Sequence, residues 1–266
     1  MDKAKIFEKY KKDEDRLLIS KLLDKVSLVD KTNKIQYTDF LSPIELQVLK
    51  DVLKISKINN YEIFGGLENA QRNMIIIYPE KMEDLFENDS FDYNSICACI
   101  RIINDKEQYD HKVYLGGLIK LGIKREKIGD IVVFDNGADI IVTRELRKFL
   151  LTNLSELTRF QKSKIEGIDL SEITIKEQEY KEMKIIVSSL RLDNIVSELA
   201  RTSRSKSNEI LKQERVFINY KNENKPTKMV NNGDIITIRG IGKFVIGNTD
   251  EQTRSGKTII VIKKFV

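Results

Sequence analysis

The pattern that most restricts the fold lies in the last third of the chain. Leu192, Ile195, Val196 and Leu199 recur at helical spacing, and Ser203 can cap a second short helix bearing Ile210 and Leu211. The period then shortens. Arg215 to Asn219, Asp234 to Ile238, Lys243 to Ile246 and Thr258 to Ile262 read as strands, with a turn at Asn232-Gly233-Asp234. Two helices and several short strands predict a domain of helices packed on a small sheet over residues 183–266.

The same third carries the basic excess. Residues 183–266 hold sixteen Lys or Arg against eight Asp or Glu, whereas the rest holds thirty against thirty-three. The net charge of +5 thus comes from one domain carried on neutral to slightly acidic neighbours, the pattern of a polyanion binder. On its two helices Arg201, Arg204, Lys206, Lys212 and Arg215 can gather, meet the charges of a polyanion and release its counterions. Lys225 and Lys228 can extend that patch, and Thr202 belongs to the same surface. Ser203, Ser205 and Asn208 can add hydrogen bonds to phosphate and sugar oxygens. Arg191 and Asp193 are expected to fix the first helix by an ion pair or cap, and Gly233 and Asp234 to shape a turn.

A length of 266 residues, 41% of them hydrophobic, fits two or three compact units. Lys12 to Val29 reads as an amphipathic helix, and Ser42-Pro43 as the start of another that fades near Lys57. Glu62 to Phe64, Met74 to Tyr78 and Ser95 to Ile103 read as strands, the first two separated by a Gly65-Gly66 turn. Asp110 to Leu121 fits a helix ended by Gly122. Asp135-Asn136-Gly137 marks a hairpin between Ile131–Phe134 and Asp139–Val142, followed by a helix over Arg144 to Leu154. A polar connection and a lead-in strand over Glu177 to Ser188 complete the chain. The expected class is α+β, divided into a helical unit (1–58), an α/β sandwich (59–160), a connection (161–182) and the basic domain (183–266).

Charged residues make up 33% of the chain, and no apolar run reaches the ~18 residues of a membrane span. The opening residues lack an apolar stretch of signal-peptide type, so a cytoplasmic protein is expected. Cys97 and Cys99 would share one face of a strand and read as core thiols. With His111 the single histidine, no metal site and no cofactor are expected. His111 itself reads as a stacking, capping or core residue in preference to a general base.

The Arg191-Leu192-Asp193 opening, Ser203-Arg204-Ser205-Lys206, Val216-x-x-Asn219 and Gly233-Asp234-x-Ile236 together resemble the alpha-L RNA-binding motif of the fourth small-subunit ribosomal protein. Glu214-Arg215 and Tyr220 stand where that motif commonly has glycine. Phe64 to Met74, His111 to Ile131 and Thr38 to Pro43 extend the likeness across the whole chain, which resembles the YlmH family of bacterial RNA-binding proteins. Gln71 replaces a usual acidic residue and Val113 a common aspartate.

The resemblance implies an RNA-recognition-like middle domain, a sheet backed by helices. It also implies association with the large ribosomal subunit, rescue of stalled translation products, and a link to cell-division genes. Relatives of the C-terminal domain in the heat-shock-protein-fifteen class bind large subunits carrying peptidyl-tRNA. The expected partners are therefore ribosomal RNA and the large subunit, with tRNA a further candidate and a monomeric protein expected.

Lys112, Lys124, Arg125 and Lys127 form a second candidate RNA surface, its alternative being an ordinary solvated face. A methyltransferase would need a glycine-rich loop that Gly65-Gly66 does not supply, and Arg254 to Thr258 lacks the leading glycine of a nucleotide-binding loop. The expected function is non-enzymatic RNA binding. An RNA-modifying enzyme or accessory subunit and a cell-division adaptor stay as alternatives.

Overall fold

The computed structural model describes residues 3–105, 108–174, 180–249 and 251–265. The chain forms two compact units, residues 1–176 and 177–266.

The first unit opens with α1 (Lys3–Lys9), α2 (Asp13–Thr32), β1 (Gln36–Tyr37), α3 (Pro43–Ile55), β2 (Tyr61–Phe64) and β3 (Met74–Ile77). It continues with α4 (Glu83–Glu87), β4 (Cys97–Ile103), α5 (His111–Lys120), β5 (Ile128–Phe134), β6 (Gly137–Thr143), α6 (Leu146–Asn153) and β7 (Lys164–Ile168). Two antiparallel sheets result, ordered β1-β3-β2 and β5-β6-β4-β7.

Ile19, Leu22, Leu23, Val26 and Val29 make the buried stripe of α2. Ser42 starts α3 with a capping box: the Glu45 amide donates to Ser42 Oγ at 3.3 Å, and the Ser42 amide donates to Glu45 Oε2 at 2.6 Å. Strand pleating then sorts the apolar residues into layers. Ile75 and Ile77 face the helices α2 and α3, while Met74 and Ile76 meet Cys97, Cys99, Ile141 and Phe40 between the sheets. On β4 the alternate residues Ala98, Ile100 and Ile102 pack under Tyr114, Leu118 and Leu150 of α5 and α6. The unit therefore stacks helices, sheet, sheet, helices.

Two expected boundaries change. Residues 1–58 are not a separate helical unit, because Gln36 pairs with Ile77 and Tyr37 with Ile76. The stripe of α2 needs an apolar partner, and β3 supplies it. Nor are residues 161–182 only a connection. Lys164–Ile168 is an edge strand paired with β4 from Cys99↔Ile168 to Ile103↔Lys164, and its half-buried position explains why it reads as polar.

The hairpin forms where expected, but for a different reason. Phe134 pairs with Gly137 around Asp135-Asn136. Neither loop residue is among those with positive φ, so this is not the primed turn that Asn-Gly favours. Gly137 is required because a Cβ there would collide with the Ile102 carbonyl oxygen and the Phe134 ring.

The second unit runs β8 (Tyr180–Val187), α7 (Leu192–Leu199), α8 (Arg204–Lys212), β9 (Val216–Ile218), β10 (Lys221–Asn222), β11 (Ile235–Ile238), β12 (Gly242–Ile246), β13 (Glu251–Gln252) and β14 (Thr258–Phe265). Glu177 to Glu179 of the expected lead-in strand lie outside the described residues. The antiparallel sheet is ordered β10-β9-β11-β12-β14, with β13 and the full length of β8 also paired to β14. Leu192, Ile195, Val196, Leu199 and Leu211 pack against Ile236, Ile238, Phe244, Ile246, Ile260 and Ile262. Glu214 (φ +55°) and Tyr220 (φ +64°) keep the left-handed turns at the positions where glycine is common. Gly233 (φ +85°) and Asp234 form the expected turn: Asp234 accepts from Asn219 Nδ2 at 2.8 Å and from the Asn231 amide at 2.8 Å.

Candidate nucleic-acid interface

The two helices of the second unit are joined at one carboxylate. Asp193 is buried, with 2% of its side chain exposed. It accepts from Arg191 at 3.1 and 3.0 Å and from Arg204 Nε at 3.0 Å. Burial alone would raise this carboxyl, but the hydrogen bonds from Arg191 and Arg204 outweigh it and hold the group below the ordinary carboxylate range. The Ser207 hydroxyl donates to the Asp193 carbonyl at 2.9 Å, a second tie between α7 and α8.

A loop closes the same point from a third side. The Leu192 amide donates to the Lys228 carbonyl at 2.8 Å, and the Asp193 amide to the Pro226 carbonyl at 3.1 Å. These bonds satisfy orphan donors at the start of α7, and they bring the loop that carries Lys225 and Lys228 to the residue that holds Arg191 and Arg204.

The predicted residues therefore separate by role. Arg201, Ser205, Lys206, Lys212, Lys225 and Lys228 have exposed side chains, and the four lysines among them and Arg201 make no ion pair among the described residues. Ser203 is the cap of α8, accepting from the Lys206 amide at 3.3 Å. Thr202 is half-buried at the junction, its amide donating to the Ser197 carbonyl at 2.9 Å. Arg204 is expected to meet phosphate, yet one edge of its guanidinium is committed to Asp193. Arg215 donates to the Arg239 carbonyl at 2.6 Å, which fixes a turn. Asn208 is half-buried, with Oδ1 lacking a donor, instead of reaching outward. Lys212, at the far end of α8, lies about 12 Å along the helix from Arg204 by helix rise, so the patch has a dense end and a sparse one.

The second candidate surface loses half of its charge to structure. Lys127 Nζ lies 2.7 Å from Asp39 and 2.8 Å from Glu145, and these bonds overcome burial to raise its pKa. Arg125 donates to the Ile128 carbonyl at 2.6 Å; burial, then the nearby Arg72 guanidinium, bring its pKa down to about 10. Lys112 and Lys124 remain exposed.

Sequence reasoning missed what holds this region. Asp130 accepts from the Gln71 amide at 2.6 Å and the Arg72 amide at 3.1 Å. Arg72 reaches the carbonyls of Phe40 (2.7 Å) and Ile128 (2.9 Å). The two most distinctive stretches, Phe64 to Met74 and His111 to Ile131, are thus one structural joint. The presence of an arginine and an aspartate in them was the available signal.

The four-stranded sheet has the order β4-α5-β5-β6-α6-β7 along the chain, the split β-α-β-β-α-β arrangement. Sheets of this kind can stack bases on the face opposite their helices. Here that face is covered by Met74, Ile76, Phe40 and Ile173. At its far end Arg101 is bidentate to the fully buried Asp139, at 2.7 Å through both nitrogens. The Glu172 carbonyl and the Thr174 amide bind the same pair at 2.7 Å each.

Comparison with known proteins adds the family. Residues 87–182 match the family described as "Putative RNA-binding domain in YlmH". The chain is 30% identical over 262 residues to the "Ribosome-associated protein quality control protein P2" of Bacillus subtilis (strain 168), covering 97% of this chain and 98% of that protein. A solved structure, "Cell division protein ylmH from Streptococcus pneumoniae", is 19% identical, with a TM-score of 0.49 over 61% of this chain and 96% of its own. With identity at this level across nearly the full length of both proteins, the chain belongs to the YlmH family.

Proposed function

We propose that the chain is a non-enzymatic RNA-binding protein that binds structured RNA of the large ribosomal subunit, together with peptidyl-tRNA, in the rescue of stalled translation. The observation that carries this reading is the near full-length likeness to a protein named for ribosome-associated quality control. The hub around Asp193 supports it. Lys206, Lys225 and Lys228 stand exposed where α7, α8 and a loop converge, and phosphate contacts there would position RNA independently of sequence. Burial pushes the Cys97 thiol up to about 12 and raises Cys99 as well, as befits thiols packed in the core.

Crosslinking in cells followed by RNA sequencing tests the proposal. Reads should concentrate in large-subunit ribosomal RNA and tRNA. Reads spread over messenger RNA would contradict it. A deletion strain should keep an unchanged profile of ribosomal and transfer RNA modifications, and a missing modification would favour the enzyme reading.

A further inference from the structure

The sheet face of the first unit is closed, but its helix side is grooved. A cavity of about 510 Å³ opens beside Asn104, Tyr109 and Arg159, and one of about 330 Å³ lies between α5 and residues 157–160. Thr158 and Arg159 line both, so the two run together. Among the described residues, four cations line this groove, Lys112, Lys120, Arg159 and Lys162, against the single carboxylate of Asp105. None of the four makes an ion pair among the described residues. The floor is polar and fixed: Asn104, 5% exposed, donates to Tyr114 Oη at 2.7 Å and accepts from Ser163 Oγ at 2.9 Å.

Lys112, Gly116 and Lys120 follow at intervals of four on the exposed face of α5, spanning about 12 Å. Glycine inside a helix is unfavourable relative to alanine. At Gly117 packing explains it, since a Cβ would press to 2.8 Å from the Phe160 ring. At Gly116 a Cβ would meet nothing within 4 Å. No packing contact among the described residues requires that glycine. It leaves an open notch between two lysines, where another backbone can approach closely.

We infer that the groove between α5 and residues 157–163 binds the sugar–phosphate backbone of RNA. The inference rests on the reading of the chain as an RNA binder, and it names a surface of that function other than the basic helices of the second unit. RNA is favoured over an acidic peptide because every groove residue lies within the segment matching the RNA-binding family.

The test uses the full chain and a fluorescently labelled 16-nucleotide single strand of mixed sequence, followed by anisotropy across a salt series. Lys112→Glu with Lys120→Glu should weaken binding about tenfold near 0.1 M salt and flatten the log–log salt dependence by about 1.4. Gly116→Ala should raise the melting temperature by about 3 °C while weakening RNA binding, a combination that a merely structural glycine would not show. Arg201→Glu with Lys206→Glu serves as the comparison. If the groove pair keeps full affinity and slope while the comparison pair loses both, the groove inference is overturned and the functional reading stands. If the groove pair abolishes capture of a polyglutamate peptide but not of RNA, the inference is likewise overturned. If the wild-type chain binds neither this strand nor a folded fragment of large-subunit ribosomal RNA at low salt, the functional reading falls with it.

Discussion

At the scale of single residues, charge that looks free in a sequence is often already spent inside the fold. Arg204 and Lys127 sit in basic clusters, yet their carboxylate partners, Asp193, Asp39 and Glu145, lie 11, 88 and 18 positions away. Removing the Asp193 carboxylate takes away the acceptor that Arg191 and Arg204 share, leaving the Ser207 bond to its carbonyl. Asp193→Ala should cost the second unit about 2 kcal/mol in chemical denaturation. Asp193 and Asp139 both titrate below the ordinary carboxylate range because their arginine partners outweigh burial. Their contribution is therefore complete above about pH 4 and is lost as pH falls through the folded values. A stability profile should show an acid limb that shrinks in Asp193→Asn; an unchanged limb would remove Asp193 from the account. Glu214 carries φ +55° without glycine's freedom, so Glu214→Gly should raise stability by about 1 kcal/mol, measured by the same unfolding. Local signals were legible: Ser42, Pro43, Ser203 and Gly122 stand where their neighbours alone predict. Long-range partners were not, since no local pattern encodes a contact 88 residues distant.

At the scale of elements, the longer apolar runs could be read and the short polar ones could not. β3 and β4 are buried on both faces, which a continuous apolar run announces but cannot assign to particular neighbours. β1 has only two residues and β7 alternates weakly at an edge. Missing both produced the false boundaries at 58 and 161. The segment Leu170 to Thr174 is strapped to the sheet face through the Arg101–Asp139 pair. Asp139→Ala should destabilise the first unit by about 3 kcal/mol and speed amide exchange at Thr174. Replacing both partners together, Arg101→Met with Asp139→Leu, should recover most of that loss. Exchange at Thr174 as slow as in wild type would show that Ile173 packing alone holds the strap.

At the scale of the whole molecule, the family likeness and the uneven charge point to the same division of labour. In the second unit exposed cations surround the Asp193 hub, and in the first unit the sheet face opposite α5 and α6 is covered by Met74, Ile76, Phe40 and Ile173. The charge asymmetry was fully legible; the distribution of free and committed cations required the fold. We propose that the exposed cations at the Asp193 hub hold the chain on the large ribosomal subunit, and sedimentation tests the proposal. Wild-type protein should co-sediment with purified large subunits. Arg201→Glu, Lys206→Glu and Lys228→Glu combined should stay in the supernatant while remaining folded, because none of these side chains has an ion-pair partner among the described residues. A folded triple variant that still pellets with the subunits would contradict the account.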